Sequence, residues 1–172
     1  MKCVIRRAQP KDAKDIAKME ATIGKELHDM QVMDPKLKDF AQLCLNDPNF
    51  NETPEIRKKL IQKSKKDEFR VDEISYVAVV NNKVIGMVEA SVRKSKASVV
   101  KRMGGFHTLY IHKQFRGRGY GTQLMEKMMN WFRSREVEYV GLGVDVPNKS
   151  AIKMYSKLGF KLGGYQMKIK LQ

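Results

Sequence analysis

Cysteine is scarce in this sequence. Cys3 and Cys44 are too few and too far apart for a disulfide framework or a thiolate zinc site. Three histidines with no close His/Cys pair give a metal centre no foothold, so no metal is expected. Cys44 lies in the apolar stretch Ala41–Leu45 and reads as a small buried hydrophobe rather than a nucleophile. Long apolar runs are missing too; none approaches the roughly 20 residues that span a bilayer. The opening Met1-Lys2-Cys3-Val4-Ile5-Arg6-Arg7 is too short and too soon charged for a signal peptide. The expectation is a cytoplasmic protein with no membrane partner, folded as one domain over residues 1–172. Neither an internal repeat nor a low-complexity segment is present.

Acidic residues are the other shortage. Asp and Glu number 19 against 34 Lys and Arg, a net charge of +15. That balance favours anionic partners (nucleic acid, a membrane surface or a polyphosphate ligand) without choosing among them. Much of the excess sits in Lys58-Lys59, Lys63, Lys65-Lys66 and in Arg93–Lys101. Neither cluster is interleaved with stacking aromatics or carries a recognised motif, so both read as solvated surface and nucleic acid is not the favoured partner.

What is present has a mixed periodicity. Val4–Ala8 is extended in character, and Pro10 opens a helix with Ala13, Ile16, Ala17, Met19 and Ile23 at helical spacing. Asn46–Asn49 and Asn51 mark a loop. Thr53-Pro54-Glu55 then reads as the cap, first-turn proline and acidic first turn of a basic helix reaching about Lys66. Ile74–Val80 and Val84–Ala90, joined by Asn81-Asn82, predict a hairpin. Arg93–Arg102 is expected as a basic loop, and Phe106–His112 as the next strand after Gly104-Gly105. Leu124, Met125, Met128, Met129 and Phe132 share one face of a helix over Gly119–Arg133. Tyr139–Val146 reads as a strand, and Asn148–Leu158 as a short helix capped by Asn148 or Ser150 and closed by Gly159. Phe160–Leu171 gives one or two last strands around Gly163-Gly164. This order predicts an α/β domain of the α+β type with a largely antiparallel sheet, not a doubly wound one.

Arg116-Gly117-Arg118-Gly119-Tyr120-Gly121 carries the chemistry. It follows a strand, precedes an amphipathic helix and has glycine at every second position. Glycines admit positive φ and close approach of the backbone to a ligand. The amides at a helix start then act as anion donors, helped by the helix dipole. With two guanidinium groups alongside, the run suits a pyrophosphate; a plain tight turn is the competing reading. A P-loop would need a lysine before Thr122, and a dinucleotide fingerprint would need G-x-G-x-x-G in the first βαβ unit.

The run Ile111–Gly121 resembles the acetyl-CoA signature of the GNAT superfamily of N-acetyltransferases, whose pattern R/Q-x-x-G-x-G/A is met by Arg116, Gly119 and Gly121. The segment Asn148–Phe160, with Tyr155 and Gly159-Phe160, is similar to that family's second signature. The resemblance covers about Ile74–Leu171 and implies a mostly antiparallel sheet of six to seven strands with about four helices. It implies acetyl-CoA as co-substrate, held in a V between Gly105–His112 and Tyr139–Val146. Leu109, Tyr110 and Ile111 would hold the pantetheine arm and thioester. Arg116, Gly117, Arg118, Gly119, Tyr120, Gly121 and Thr122 would hold the pyrophosphate, and Asn148 would meet the pantetheine or nucleotide side.

The implied reaction is direct attack of a primary amine on a thioester in a ternary complex. It needs a proton acceptor, an oxyanion donor and a proton donor for the thiolate. Tyr155 matches the family's tyrosine acid, and an amide such as that of Leu109 or Tyr110 serves the oxyanion. His107, two residues before Leu109, is a candidate base on a strand face shared with Leu109 and Ile111; Glu89 is a second candidate, and a water relay is an alternative. His112 is expected to point away, and His28 to lie on a helix surface. The acceptor amine is undefined: Glu20, Glu26, Asp29, Asp34 and Asp39 either attract a cation or simply solvate a helix face. A homodimer is left open. The competing function is a non-catalytic CoA-binding or nucleic-acid-associated module on the same fold.

Overall fold

The computed structural model describes residues 2–33, 70–94 and 99–164. Cys44, the 46–51 loop, the 54–66 helix with its basic cluster, Asp34, Asp39, the basic residue at 96 and residues 165–171 of the last strand lie outside them. Two compact units divide the chain: Met1–Glu20 with Glu52–Gly143, and Ala21–Asn51 with Val144–Gln172.

The first unit is built on a sheet of five strands in the order β1-β2-β3-β4-β5. They are β1 (Cys3–Arg7), β2 (Arg70–Val80), β3 (Lys83–Lys94), β4 (Arg102–Ile111) and β5 (Tyr139–Gly141). Neighbours are antiparallel except β4 and β5, which run parallel. Asn81 and Asn82 take φ of 50° and 60°, the left-handed pair that a two-residue hairpin turn requires. The hairpin strands outrun their apolar cores, so Arg93, Lys94 and Arg102, expected in a loop, lie in β3 and β4. Main-chain pairing extends past the buried span and takes polar residues with it. Glu138 fixes the base of the β4–β5 junction by accepting from the N–H groups of Lys101 (2.8 Å) and Arg102 (3.1 Å).

Among the described residues there are five strands, against the six to seven expected for the whole chain. Residues 160–164 carry no strand, and 142–146 lie beyond β5. The described helices are three: α1 (Ala13–Met33), which runs from the first unit into the second, α2 (Tyr120–Ser134) and α3 (Lys149–Lys157).

α2 packs on β1 to β4 through most of the face read from its sequence: Leu124, Met125, Met128 and Phe132 are at most 1% exposed, while Met129, at the edge of that face, is half-buried. Each such side chain contributes about 1.5–3 kcal/mol by leaving water. Phe132 settles which sheet face meets α2. Its ring lies edge-on to Phe106, with centroids 5.2 Å apart, and directly over Gly104. Gly104 and Phe106 pair with Val92 and Ala90, so the alternate residues of β3, Glu89 and Ser91, stand on the opposite face. At the start of the chain, Arg6 forks onto Asp12 at 2.7 and 2.8 Å, and the same carboxylate accepts from the N–H of Gln9 at 2.7 Å. This pins β1 to the short 3-10 turn Pro10–Asp12 that leads into α1.

The second unit contains the rest of α1 and α3. Asn148, not Ser150, caps α3: its Oδ1 accepts from the N–H of Ala151 at 3.2 Å. Gly159, at φ +92°, closes it as expected. Among the described residues no helix is long and apolar enough to cross a membrane.

Candidate active site

The site is built around the far half of β4. Its parallel ladder with β5 has three steps, Met103–Tyr139, Gly104–Val140 and Gly105–Gly141, and there the pairing ends. The direction of each β4 amide beyond that point follows from one bond. The N–H of His112 donates to the carbonyl of Ile85 at 2.9 Å, which fixes the phase of the β3–β4 ladder. In an antiparallel ladder alternate residues turn their main chain toward the neighbour. Tyr110 and Thr108 therefore face β3, while Leu109 and Ile111 face the side of β5. Of the two expected oxyanion donors, the amide of Leu109 points toward the β5 side and that of Tyr110 toward β3.

The glycine loop follows. Gly117 and Gly119 take φ of +75° and +79°, which an L side chain resists, although a Cβ at either position would meet nothing within 4 Å. Here glycine is required by the dihedral and not by crowding. The first main-chain bond of α2 runs from the N–H of Gln123 to the carbonyl of Gly119 at 3.0 Å. The amides of Tyr120, Gly121 and Thr122 are thus outside the helix ladder, aligned with the positive end of the helix dipole.

The two arginines of the loop differ. Arg116 donates from Nε to the carbonyl of Ile111 at 2.8 Å, and its guanidinium lies 5.4 Å from the Tyr110 ring, bracing the loop against β4. Arg118 lies exposed beside the Phe115 ring. The side chain of Tyr120 is buried, so only its amide belongs to the loop surface.

On the sheet face away from α2, β3 and β4 carry a polar group. Glu89, 6% exposed, accepts from the Ser75 hydroxyl at 2.8 Å, so it stands neither in a solvated position nor in an apolar one. Ser91, 1% exposed, lies 2.7 Å from Nε2 of His107 through its Oγ. His107 is exposed. Its expected place on one face with Leu109 and Ile111 is overturned. Between Glu89–Thr108 and Ala90–Phe106 the register slips, and His107 is the extra residue of a β-bulge. Leu109 pairs with Val88 and faces α2, whereas His107 and Thr108, although consecutive, both stand with Glu89 and Ser91. Alternation along the strand cannot anticipate a bulge. Sequence alone does not single out Ser75 or Ser91. The signal available was two polar residues, Glu89 and Ser91, at alternate positions in an otherwise apolar strand.

In the second unit, Asn148 spends its Oδ1 on capping α3, where it also accepts from the Ser150 hydroxyl at 3.2 Å. Tyr155, in α3, is half-buried with its ring 6.0 Å from that of Phe160, and burial pushes its phenol above the ordinary range. His112 stacks edge-on with Tyr110 at 5.4 Å, and the side chain of His28 lies outside the described set. Among the described residues no three His, Cys, Asp or Glu side chains converge on a metal position.

The profile of the family described as Acetyltransferase (GNAT) family matches residues 37–160. An uncharacterized N-acetyltransferase of Methanocaldococcus jannaschii is 34% identical over 86 residues, covering 50% of this chain and 38% of that protein. N-alpha-acetyltransferase 30 of Schizosaccharomyces pombe is 30% identical over 88 residues, 51% of this chain and 57% of that one. The chain thus spans less than two thirds of the length of these curated relatives. A putative acetyl transferase from Pyrococcus furiosus shares the fold, with a TM-score of 0.69 at 18% identity over 99% of this chain and 100% of that one.

Proposed function

This chain belongs to the GNAT acetyltransferase family, and from that premise we propose that it transfers an acetyl group from acetyl-CoA to a primary amine. The proposal takes residues 1–172 as one catalytic domain acting in the cytoplasm. The observation that carries it is the loop after β4. Two left-handed glycines lead into three uncommitted amides at the head of α2, beside the strand that parts from β5. That arrangement fits a pyrophosphate through backbone donors and dipole, with Arg118 adding charge.

The main chain of Leu109 and Ile111 suits the pantetheine arm, and Asn148 has its side-chain amide nitrogen to offer. The Leu109 N–H donates to the carbonyl oxygen of the thioester as that oxygen gains negative charge. His107 takes the proton from the attacking amine, directly or through water; Glu89, committed to Ser75, is the weaker candidate. The Tyr155 phenol, kept protonated by burial, gives its proton to the thiolate as the C–S bond breaks.

Calorimetric titration with CoA tests the loop. Gly117→Ala with Gly119→Ala should weaken CoA binding by about tenfold or more, since each Cβ disfavours the bound dihedral by about 1–2 kcal/mol. Unaltered affinity, or polyanion binding that survives both changes and fades with salt, would favour a basic module instead.

A further inference from the structure

We propose that Gly105 and Gly141 floor a trough that selects the acceptor: a primary amine on a slim aromatic arm, with no second positive charge. The inference rests on the acetyl-transfer reading and narrows its substrate class.

The two glycines are register partners at the last step of the β4–β5 ladder. A Cβ built at Gly105 would point at the His107 ring, 3.9 Å from Cε1, so Gly105 lies on the sheet face away from α2. Gly141 shares that face by register. Other strand glycines have reasons within the chain. A Cβ at Gly104 would strike Phe132, and one at Gly86 would strike Ile111 and the carbonyl of Tyr110. No such reason holds for the pair. A Cβ at Gly141 would meet nothing within 4 Å, one at Gly105 would meet only the His107 ring, and neither glycine has positive φ. Glycine inside a strand weakens it. Where neither crowding nor dihedral requires one, close approach of a ligand to the backbone is the remaining use.

The ends of the trough define the ligand. Met103 and Tyr139 stand opposite each other one row but one from the pair, 50% and 64% exposed, and His107 stands at the other end. An exposed thioether beside an exposed phenol ring is a seat for another ring. The bare peptide planes of Gly105 and Gly141 admit that ring at contact distance, which a side chain would prevent. By register the formal charges at this end are Arg93, opposite Met103, and Glu73, opposite Ser91. One of each sign gives no net attraction to a second ammonium.

Its position suits the reaction. The pyrophosphate donors lie past the C-terminal end of β4, so a pantetheine arm held by Ile111 and then Leu109 would run back toward the glycine pair. α2 covers the opposite sheet face, which leaves this one for the acceptor. Gly105 precedes Leu109 by four residues, one of them the bulge, a span of about 10 Å. A ring with a short methylene arm reaches across it.

Steady-state kinetics with phenylbutylamine, spermidine and kanamycin test the proposal. Phenylbutylamine should have the highest kcat/KM of the three. Gly105→Val and Gly141→Val should each raise its KM by about tenfold or more, because a side chain is forced into occupied space. KM for acetyl-CoA should hold, which a general loss of structure would not allow. Gly105→Ala, which the fold accommodates, should raise the amine KM in the same direction, and Tyr139→Ala should raise it too. Preference for spermidine or kanamycin, or an amine KM unmoved in both valine variants, overturns the trough. If none of the three amines accelerates thiol release, calorimetric titration of the CoA-loaded protein with phenylbutylamine reads the trough by itself. Binding that Gly105→Val weakens supports it, whereas no binding, or equal binding in the variant, overturns it. Failure of acetyl transfer is thereby kept apart from failure of the trough.

Discussion

Gly104 and Gly105 are adjacent in β4, yet a methyl group added at each would meet opposite surroundings. At Gly104 a Cβ would lie 2.5 Å from Cε1, 2.8 Å from Cδ1 and 3.0 Å from Cζ of Phe132. Phe132 is 1% exposed and held between Phe106 and Trp131, each with ring centroids 5.2 Å away, so it has little room to yield. Overpacking of this kind costs about 1–3 kcal/mol. Against it stands the entropic gain from replacing a strand glycine, about 0.5–1 kcal/mol. Gly104→Ala should therefore lose about 1–2 kcal/mol. At Gly105 the new Cβ would meet only Cε1 of His107, at 3.9 Å, and the entropic gain remains, so Gly105→Ala should gain about 0.5 kcal/mol. The separation, about 2 kcal/mol, corresponds to about 4–8 °C in Tm for a chain of this length. Urea and thermal unfolding followed by the single tryptophan, Trp131, reads both, because that ring is 8% exposed and touches the ring being displaced. Equal midpoints for the two variants, or a less stable Gly105→Ala, would refute the assignment of sheet faces on which the bulge and the polar group rest.

Asp12→Asn should cost about 2 kcal/mol at neutral pH, since it breaks a charged fork that is 4% exposed on the acid side. The hydrogen bonds from Arg6, more than any other cause, hold the Asp12 carboxyl below the ordinary carboxylate range. Its contribution is therefore complete above about pH 4 and lost as pH falls through the depressed value. Urea midpoints of wild type and variant should converge in acid; a constant gap would contradict this. Tyr155→Phe should lower kcat by about 100-fold with little change in KM for acetyl-CoA, as expected for a proton donor. Because burial raises the Tyr155 phenol, the wild-type rate should show no alkaline fall from this group below about pH 10; unchanged kcat in the variant would remove Tyr155 from the chemistry.

The parts legible in the sequence were those governed by local chemistry. Asn81-Asn82 and Gly159 declare their left-handed backbones, Asn148 its cap, and the methionine-rich face of α2 its burial. The glycine loop could be located because φ above zero and amides at a helix start are properties of a short stretch. What was not legible depends on partners far along the chain. The bulge at His107 exists only relative to Glu89 and Ala90 on β3, and it reversed the face on which the histidine stands. The three-residue length of β5 is likewise set by where the β4 ladder ends, since Val144 and Val146 have strand-like side chains but lie outside the sheet. Ser91 acquires its interest only once β4 is laid beside β3.

Release of CoA thiol from acetyl-CoA, followed spectroscopically across a panel of primary amines (polyamine, aminoglycoside, small metabolite and peptide), tests acetyl transfer most directly. Thiol release that rises with at least one amine and stoichiometrically matches its acetylated product is the predicted result. CoA binding with no amine raising release above background would contradict it.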